Sequence, residues 1–323
     1  MTNPTFFDLF KTHWAQDGSV DGFSLPQYKT GWSFIGSTPP SVEEFNAWGQ
    51  LLDQKANWLY GQLKTAADSG GVALGADDLG SLQQVLAKGG SGRLLRTLVY
   101  TRVGGAQMVS IDGGTPTPVG ASNFIPLDGT ATAEIEVLGG GGAGGGAPVT
   151  NAVQVGVGAG GNAGGYAVGR FTAAQIGAAL AIAVGAGGAS VAGGRGDPGA
   201  ASSAGGLIRA EGGAGGGALG PSGADLTTGN GHAGALTSGG NIVAMRGGVA
   251  TIAFISAFGI GWGGQGANSF YGAGAGSVNG TSAGADATGS GAGGSGAYAG
   301  RNNPTARAGG VGSPGIVIIR ERA

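Results

Sequence analysis

"GGGGAGGG", residues 139–146, follows the alternating run "TATAEIEVL" at residues 130–138. An ordinary antiparallel sheet would make a tight turn here and come back. Eight residues with no side chain larger than a methyl could be a flexible linker, a phosphate cradle, or a structural material in their own right. The rest of the sequence decides among the three.

Of 323 residues, 77 are glycine, about a quarter of the chain against roughly 7% in ordinary proteins. Glycine at that level without a strict period usually marks disorder. Disorder also requires low hydrophobicity and high net charge. Here 41% of residues are hydrophobic, 11% are charged, the net charge is −2 and the mean hydropathy is +0.14, so an ordered chain is expected. No basic run offers a duplex nucleic acid a footing. The chain has no cysteine, which removes disulfides, thiolate zinc sites and cysteine nucleophiles together.

The opening "MTNPTFFDLFKTHWAQDG" lacks the basic-then-apolar pattern of a secretory signal. The longest apolar stretch, "VATIAFISAFGIGW" at residues 249–262, is too short and too broken by glycine for a membrane span of about 20 residues.

The sequence changes character twice, giving an α+β, multi-segment expectation: a helical segment over 1–90, a β-rich neck over 91–138, and a glycine-rich distal domain over 139–323. In the first, Pro39 and Pro40 end a loop. Ser41 and Glu44 have capping-box spacing. Phe45, Trp48, Leu52, Leu59 and Leu63 then recur at spacings of three, four or seven, one apolar stripe. The stripe faces either an intrachain core or a short parallel bundle of identical chains. A second short helix is expected over "ADDLGSLQQVLAK", residues 76–88. Period-two runs follow, "RTLVYTRV" (96–103), "AQMVSIDGG" (106–114) and "SNFIPLDG" (122–129).

In the distal segment, glycine clusters alternate loosely with aliphatic runs such as "AVQVGVGAGG" (152–161), "ALAIAVGAGG" (179–188) and "GIVIIRER" (315–322). The spacing does not keep the every-third glycine of collagen. Gly156, Gly158 and Gly161 spell a dinucleotide fingerprint, but chance alone yields such matches in this composition, and no capped helix or well-placed acidic residue follows. "RGD" at Arg195, Gly196 and Asp197 reads as a polar, proline-ended turn, and the sequon at Asn279–Thr281 as another. His13 and His232 have no metal-ligand spacing, and Glu211, Asp225 and Asp286 are sparse. No catalytic residue, metal site or cofactor is expected.

Bulky side chains late in the chain stand out against the glycine: Trp262, Phe270, Tyr271 and Tyr298, with Arg301 and Asn302 beside them. Aromatic and arginine side chains on connections of a rigid scaffold suit binding; they equally suit plugging a small core.

Ordering glycine costs more backbone entropy than ordering any other residue, about 1–2 kcal/mol for each backbone fixed. Threefold extended helices without side chains could offset that by packing laterally and hydrogen bonding on several sides. Ordinary β-structure with glycine-rich loops would use the same sequence. On the first reading Gly139, Gly140, Gly141 and Gly142 open a polyglycine scaffold.

The order "TATAEIEVLGGGGAGGG", "AGGYAVGRFTAAQIG" (163–177), "AIAVGAGG" (181–188) and "GGVGSPGIVIIRE" (309–321) resembles the glycine-rich C-terminal domain of bacteriophage tail fibre and receptor-binding proteins. "GWSFIGSTPPSVEEFNAWGQLLDQKANWL" (31–59) is similar to the attachment segment of phage and prophage tail fibres. Relatives of this architecture include the polyglycine-helix adhesin of T-even-like phages and the glycine-rich module of the anaplastic lymphoma kinase ectodomain. The resemblance implies packed polyglycine II helices and a homotrimer. It further implies attachment to other tail or baseplate proteins through the N-terminal segment, and a bacterial surface receptor, whether lipopolysaccharide, an outer-membrane protein or a pilus. The protein would be a virion component made in the host cytoplasm and would bind without covalent chemistry. A tail connector without receptor contact and a glycan-degrading spike are the alternatives. The sequence departs from the family pattern over "MRGGVATIAFISAFGIGWGGQGANSFYG", residues 245–272, where host-specific contacts could differ.

Overall fold

The computed structural model describes residues 12–69, 92–119, 122–228 and 233–323; the helix expected over 76–88 and His232 lie outside them. The chain divides into two compact units, one ending at Ser91 and the other running from Gly92 to Ala323.

In the first unit a capped short helix, Leu25–Thr30, and a 3-10 turn, Gly31–Ile35, lead into a helix of 28 residues, Val42–Ser69. The capping box forms: the Ser41 amide donates to Glu44 Oε2 at 2.9 Å, and the Glu44 amide to Ser41 Oγ at 3.1 Å. One face of the long helix is occupied by the chain before it. Trp14 donates its amide to Asp53 Oδ2, Gln50 donates to the Ala15 carbonyl, and the Trp14 ring lies where any Cβ on Gly49 would come within 2.5 Å of it. The apolar stripe lies elsewhere on the helix, with Phe45, Trp48, Leu52 and Leu59 39–61% exposed and Leu63 half-buried. Ala67 is the one hydrophobic residue of this unit, among those described, in the fully buried set.

The second unit is mostly antiparallel sheet. Its seven-stranded sheet has Thr132–Leu138 near the centre, paired with Tyr166–Thr172 on one side and Ile316–Arg322 on the other. The terminal strand pairs in turn with Leu94–Val103. Residues 92–138 therefore do not stand apart as a neck: Leu94–Val103 and Thr132–Leu138 flank the C-terminal strand in one sheet, and Asn123–Phe124 joins a facing five-stranded sheet. The Gly92 amide donates to the Ala323 carbonyl, so the chain enters and leaves this unit on the same sheet. Period-two burial sends Ile135, Val137, Val317, Ile319, Leu98 and Tyr100 to one face, where they meet Phe124, Leu180, Ile182 and Ile208 of that five-stranded sheet. Burying such side chains stabilises by roughly 1.5–3 kcal/mol each.

At Gly139 the strand does not turn. It runs on as a straight tract whose amides donate in a cycle of three. Gly139, Gly142 and Gly145 donate to the carbonyls of Gly165, Asn162 and Ala159. Gly140, Ala143 and Gly146 donate to Ala200, Asp197 and Gly194, and Gly141, Gly144 and Ala147 to Ser313, Gly310 and Arg307. Acceptor numbers fall as donor numbers rise, so all three neighbours run antiparallel. The tract's carbonyls accept from three further neighbours: Gly140 and Ala143 from Gly213 and Gly216, Gly142 and Gly145 from Gly294 and Ala297, and Gly141 from Gly188. For the two sets with a pair of bonds, both numbers rise together, so those neighbours run parallel.

Contacts this close exclude side chains. A Cβ on Gly140 would lie 2.1 Å from the Ala186 carbonyl oxygen, on Gly141 1.9 Å from that of Ala292, and on Gly142 2.2 Å from that of Ala214. The obstacle in each case is main chain, which cannot swing away as a rotamer can. This is why residues 139–142 are all glycine.

Two motifs are absorbed by the same packing. Gly158 and Gly161 of the fingerprint face the Gly145 and Gly142 carbonyl oxygens at 1.9 and 2.1 Å from a would-be Cβ, which leaves no space for a dinucleotide between them. "RGD" is not the turn its composition suggests. The turn falls just before it, at Gly193 with φ +69, and Gly196 and Asp197 lie in the wall of the packed tracts, where Asp197 accepts from Ala143.

Candidate functional site

The tract 139–147 has a sheet end and a far end, and the sequence-selected aromatic residues divide between them. Phe270 and Tyr271 lie at the sheet end. Phe270 stacks on Tyr166 with ring centres 4.2 Å apart, and Tyr271 meets both rings edge-on. Under them Glu136, almost fully buried, accepts from Tyr166 Oη at 2.8 Å, from Tyr271 Oη at 2.5 Å and from the Arg320 guanidinium. Burial alone would raise the Glu136 pKa, but the hydrogen bonds from Tyr271, Arg320 and Tyr166 and the Arg320 charge outweigh it and hold the carboxyl below its ordinary value. Burial, and then the bond to Glu136, pushes both phenols up. Tyr271 is thus committed through its hydroxyl to the sheet, while the residue as a whole is still 38% exposed.

At the far end, residues 253–262 fold as a hairpin. Ala253–Ile255 pairs with Gly261–Trp262 on one side and Leu226–Thr228 on the other. Ala253 and Ile255 point inward to a small core with Val155, Val157 and Tyr298. Phe254 and Trp262, opposite each other in register, point outward with their rings 5.7 Å apart. Between the strands, Phe258 and Ile260 stand out of the loop, 80% and 72% exposed.

The loop is held from below. The Ser256 amide donates to the Ile260 carbonyl, and the Gly259 amide to the Ser256 carbonyl. Ala257 donates to Asp225 Oδ1 at 2.6 Å and accepts from Arg301 Nε at 2.9 Å. Ser256 Oγ takes the Ile260 amide, and Tyr298 Oη donates to the Gly259 carbonyl.

Tyr298, expected among the surface binding residues, is therefore corrected to a support: it is 3% exposed, because its ring fills the core under the hairpin while its hydroxyl fastens the tip. Arg301 is exposed, with its guanidinium carbon 5.7 Å from the Phe258 ring centre. Asn302 adopts φ +55 and donates its amide to the Asn151 carbonyl, which fixes the neighbouring loop. The structure brings Trp262, Tyr298 and Arg301 to one hairpin and leaves Phe270 and Tyr271 at the other end. Phe258 and Ile260 are not among the residues selected from the sequence, where the stretch 249–262 is weighed as a membrane span and set aside as too short and glycine-broken. The "FGI" triplet at residues 258–260, with its glycine at φ +80, was the available signal of a turn with exposed flanks.

Among the described residues no three His, Asp or Glu side chains converge as a metal-ligand set, and no helix is long and apolar enough to cross a membrane.

The fold and its loop ends define a class of protein: an antiparallel β framework extended by packed glycine tracts that carry bulky loops. The model of the glycine-rich domain family matches residues 115–322, and the chain belongs to that family. No curated protein matches the sequence.

Proposed function

We propose that the chain is a receptor-binding protein of a bacteriophage tail fibre, and that its glycine tracts are packed polyglycine II helices. The three-residue cycle of donors supports the second statement, since a helix with three residues per turn points successive amides at neighbours about 120° apart. The observation that carries the first is the far-end hairpin. It is a rigidly supported apolar loop, with Phe258 and Ile260 exposed, at the end of the tracts opposite the sheet through which the chain enters and leaves. Exposed apolar groups on a fixed loop are what a recognition surface needs. The contact is non-covalent, and several copies multiply weak contacts by avidity.

The helical unit serves attachment. Its long helix leaves Phe45, Trp48, Leu52 and Leu59 partly exposed, and three copies of the helix packed in parallel would cover them, making the fibre a homotrimer docked on the tail or baseplate. Purified chain added to host cells should block adsorption of phage particles that carry it. Undiminished adsorption at saturating protein would favour a connector role instead.

A further inference from the structure

The tip of the far-end hairpin points to the chemistry of the receptor, an inference that rests on the receptor-binding reading above. Every backbone N–H and C=O of residues 256–260 other than those of Phe258 has a partner within the protein. A loop meant to read hydroxyl groups of a glycan would leave donors and acceptors facing outward. This one turns them inward and presents Phe258, Ile260 and Trp262 instead, 80%, 72% and 49% exposed. Backbone that is already satisfied can enter a dry environment without the desolvation cost of an unpaired polar group, about 1–3 kcal/mol each; of the loop's backbone only the N–H and C=O of Phe258 would have to find partners in the pocket.

Two opposite charges accompany the apolar tip: the exposed Asp225 carboxylate, which takes the Ala257 amide, and Arg301. Arg301 gives its Nε to the Ala257 carbonyl and lies over the Phe258 ring. No carboxylate among the described residues forms an ion pair with it. A guanidinium fixed in this way matches a carboxylate in two-pronged geometry. A single cation is also poor footing for an anionic lipid surface, where each basic residue contributes only about 1 kcal/mol and stable binding takes a cluster. Aromatic and arginine anchors seated in a desolvated pocket are the usual centre of a protein–protein contact.

We propose that Phe258 and Ile260 form an apolar plug that enters a preformed pocket of a cell-surface protein, with a carboxylate at the pocket rim pairing with Arg301. The partner is thus a folded protein, neither a glycan nor a lipid leaflet.

The test uses the full chain and isolated envelopes of a bacterial strain that binds it, together with phosphatidylglycerol vesicles. Binding should be abolished by protease treatment of the envelopes and survive periodate oxidation of their glycans. Phe258→Ser should weaken it about 30-fold, the scale of a hot-spot residue, and Arg301→Ala about tenfold, while Phe258→Leu keeps most of it. All three variants should melt with the parent chain. Loss on periodate with survival of protease, binding to the vesicles that depends on Phe258, or wild-type binding by Phe258→Ser would each overturn the plug while leaving receptor binding standing. Failure to bind envelopes from any strain of a broad panel, including the host of a phage that carries the chain, would sink the receptor-binding reading and the plug with it.

Discussion

The glycine tract at residues 139–147 and the hairpin at residues 253–262 solve opposite problems with the same backbone. In the tract each amide reaches a different neighbour in rotation, and at its glycines a side chain is excluded because a Cβ would strike carbonyl oxygens near 2 Å. In the hairpin loop the backbone groups other than those of Phe258 are satisfied by two bonds within the loop and by one carboxylate, one serine, one arginine and one tyrosine, so the side chains are free to face outward. The lesson is a division of labour: main chain makes the framework, and the few bulky residues are released for contact.

Substitutions should separate the two regions sharply. The largest effect is expected at Gly141→Val and Gly140→Val, where the clash is with the main-chain carbonyls of Ala292 and Ala186, themselves held by the Ser313 and Ala200 amides. Each should leave the second unit unfolded, read as loss of its cooperative melting transition, whereas a flexible linker would accept both. Next, Ile135→Ala removes a fully buried side chain between the two sheets and should cost about 2–5 kcal/mol in denaturant unfolding.

The Glu136 cluster should give a smaller, pH-dependent effect. Its folded pKa lies below the ordinary 4.5, so its contribution is present above that value and is lost as pH falls through the folded pKa. The phenols of Tyr166 and Tyr271 lie above the ordinary 10.0, so theirs is present below that value and is lost as pH rises through the folded pKa. Glu136→Gln should lower stability at neutral pH by about 1–3 kcal/mol and flatten the acid limb of the melting profile; an unchanged acid limb would remove the cluster from the account. Ser41→Ala should cost the long helix about 1 kcal/mol through its lost cap, seen as reduced helicity on heating. At the other extreme from glycine, Phe258→Ser should change stability by less than about 0.5 kcal/mol.

Much of this was legible in the sequence. The capping box at Ser41 and Glu44 depends only on residues three apart, and the burial of Ile135 and Val137 follows from period two, so local pattern sufficed for both. The glycines at 139–142 announced that side chains were unwanted. Their partners, at residues such as Ala200, Ser313 and Gly294, could not be read, because register between distant main chains leaves no mark in side-chain identity. The same reason hides the pairing of Leu94–Val103 with the terminal strand, which drew residues 92–138 into the larger unit. At the loops, sequence identified bulky residues but not their direction. Tyr298 and Trp262 look alike as aromatics among glycines, yet one fills a core and the other faces out, a difference set by strand register. Glu321, fully buried and bound to Arg96, the Leu127 amide and Thr130, gave no local signal at all.

Amide hydrogen exchange across residues 139–147 tests the framework most directly. Bonds to three neighbours in rotation predict slow exchange at all nine consecutive amides, to a similar degree, because each opens only when the packed tracts open together. Rapid exchange throughout, as in a linker, or protection that alternates with a period of two, as in an ordinary edge strand, would contradict it.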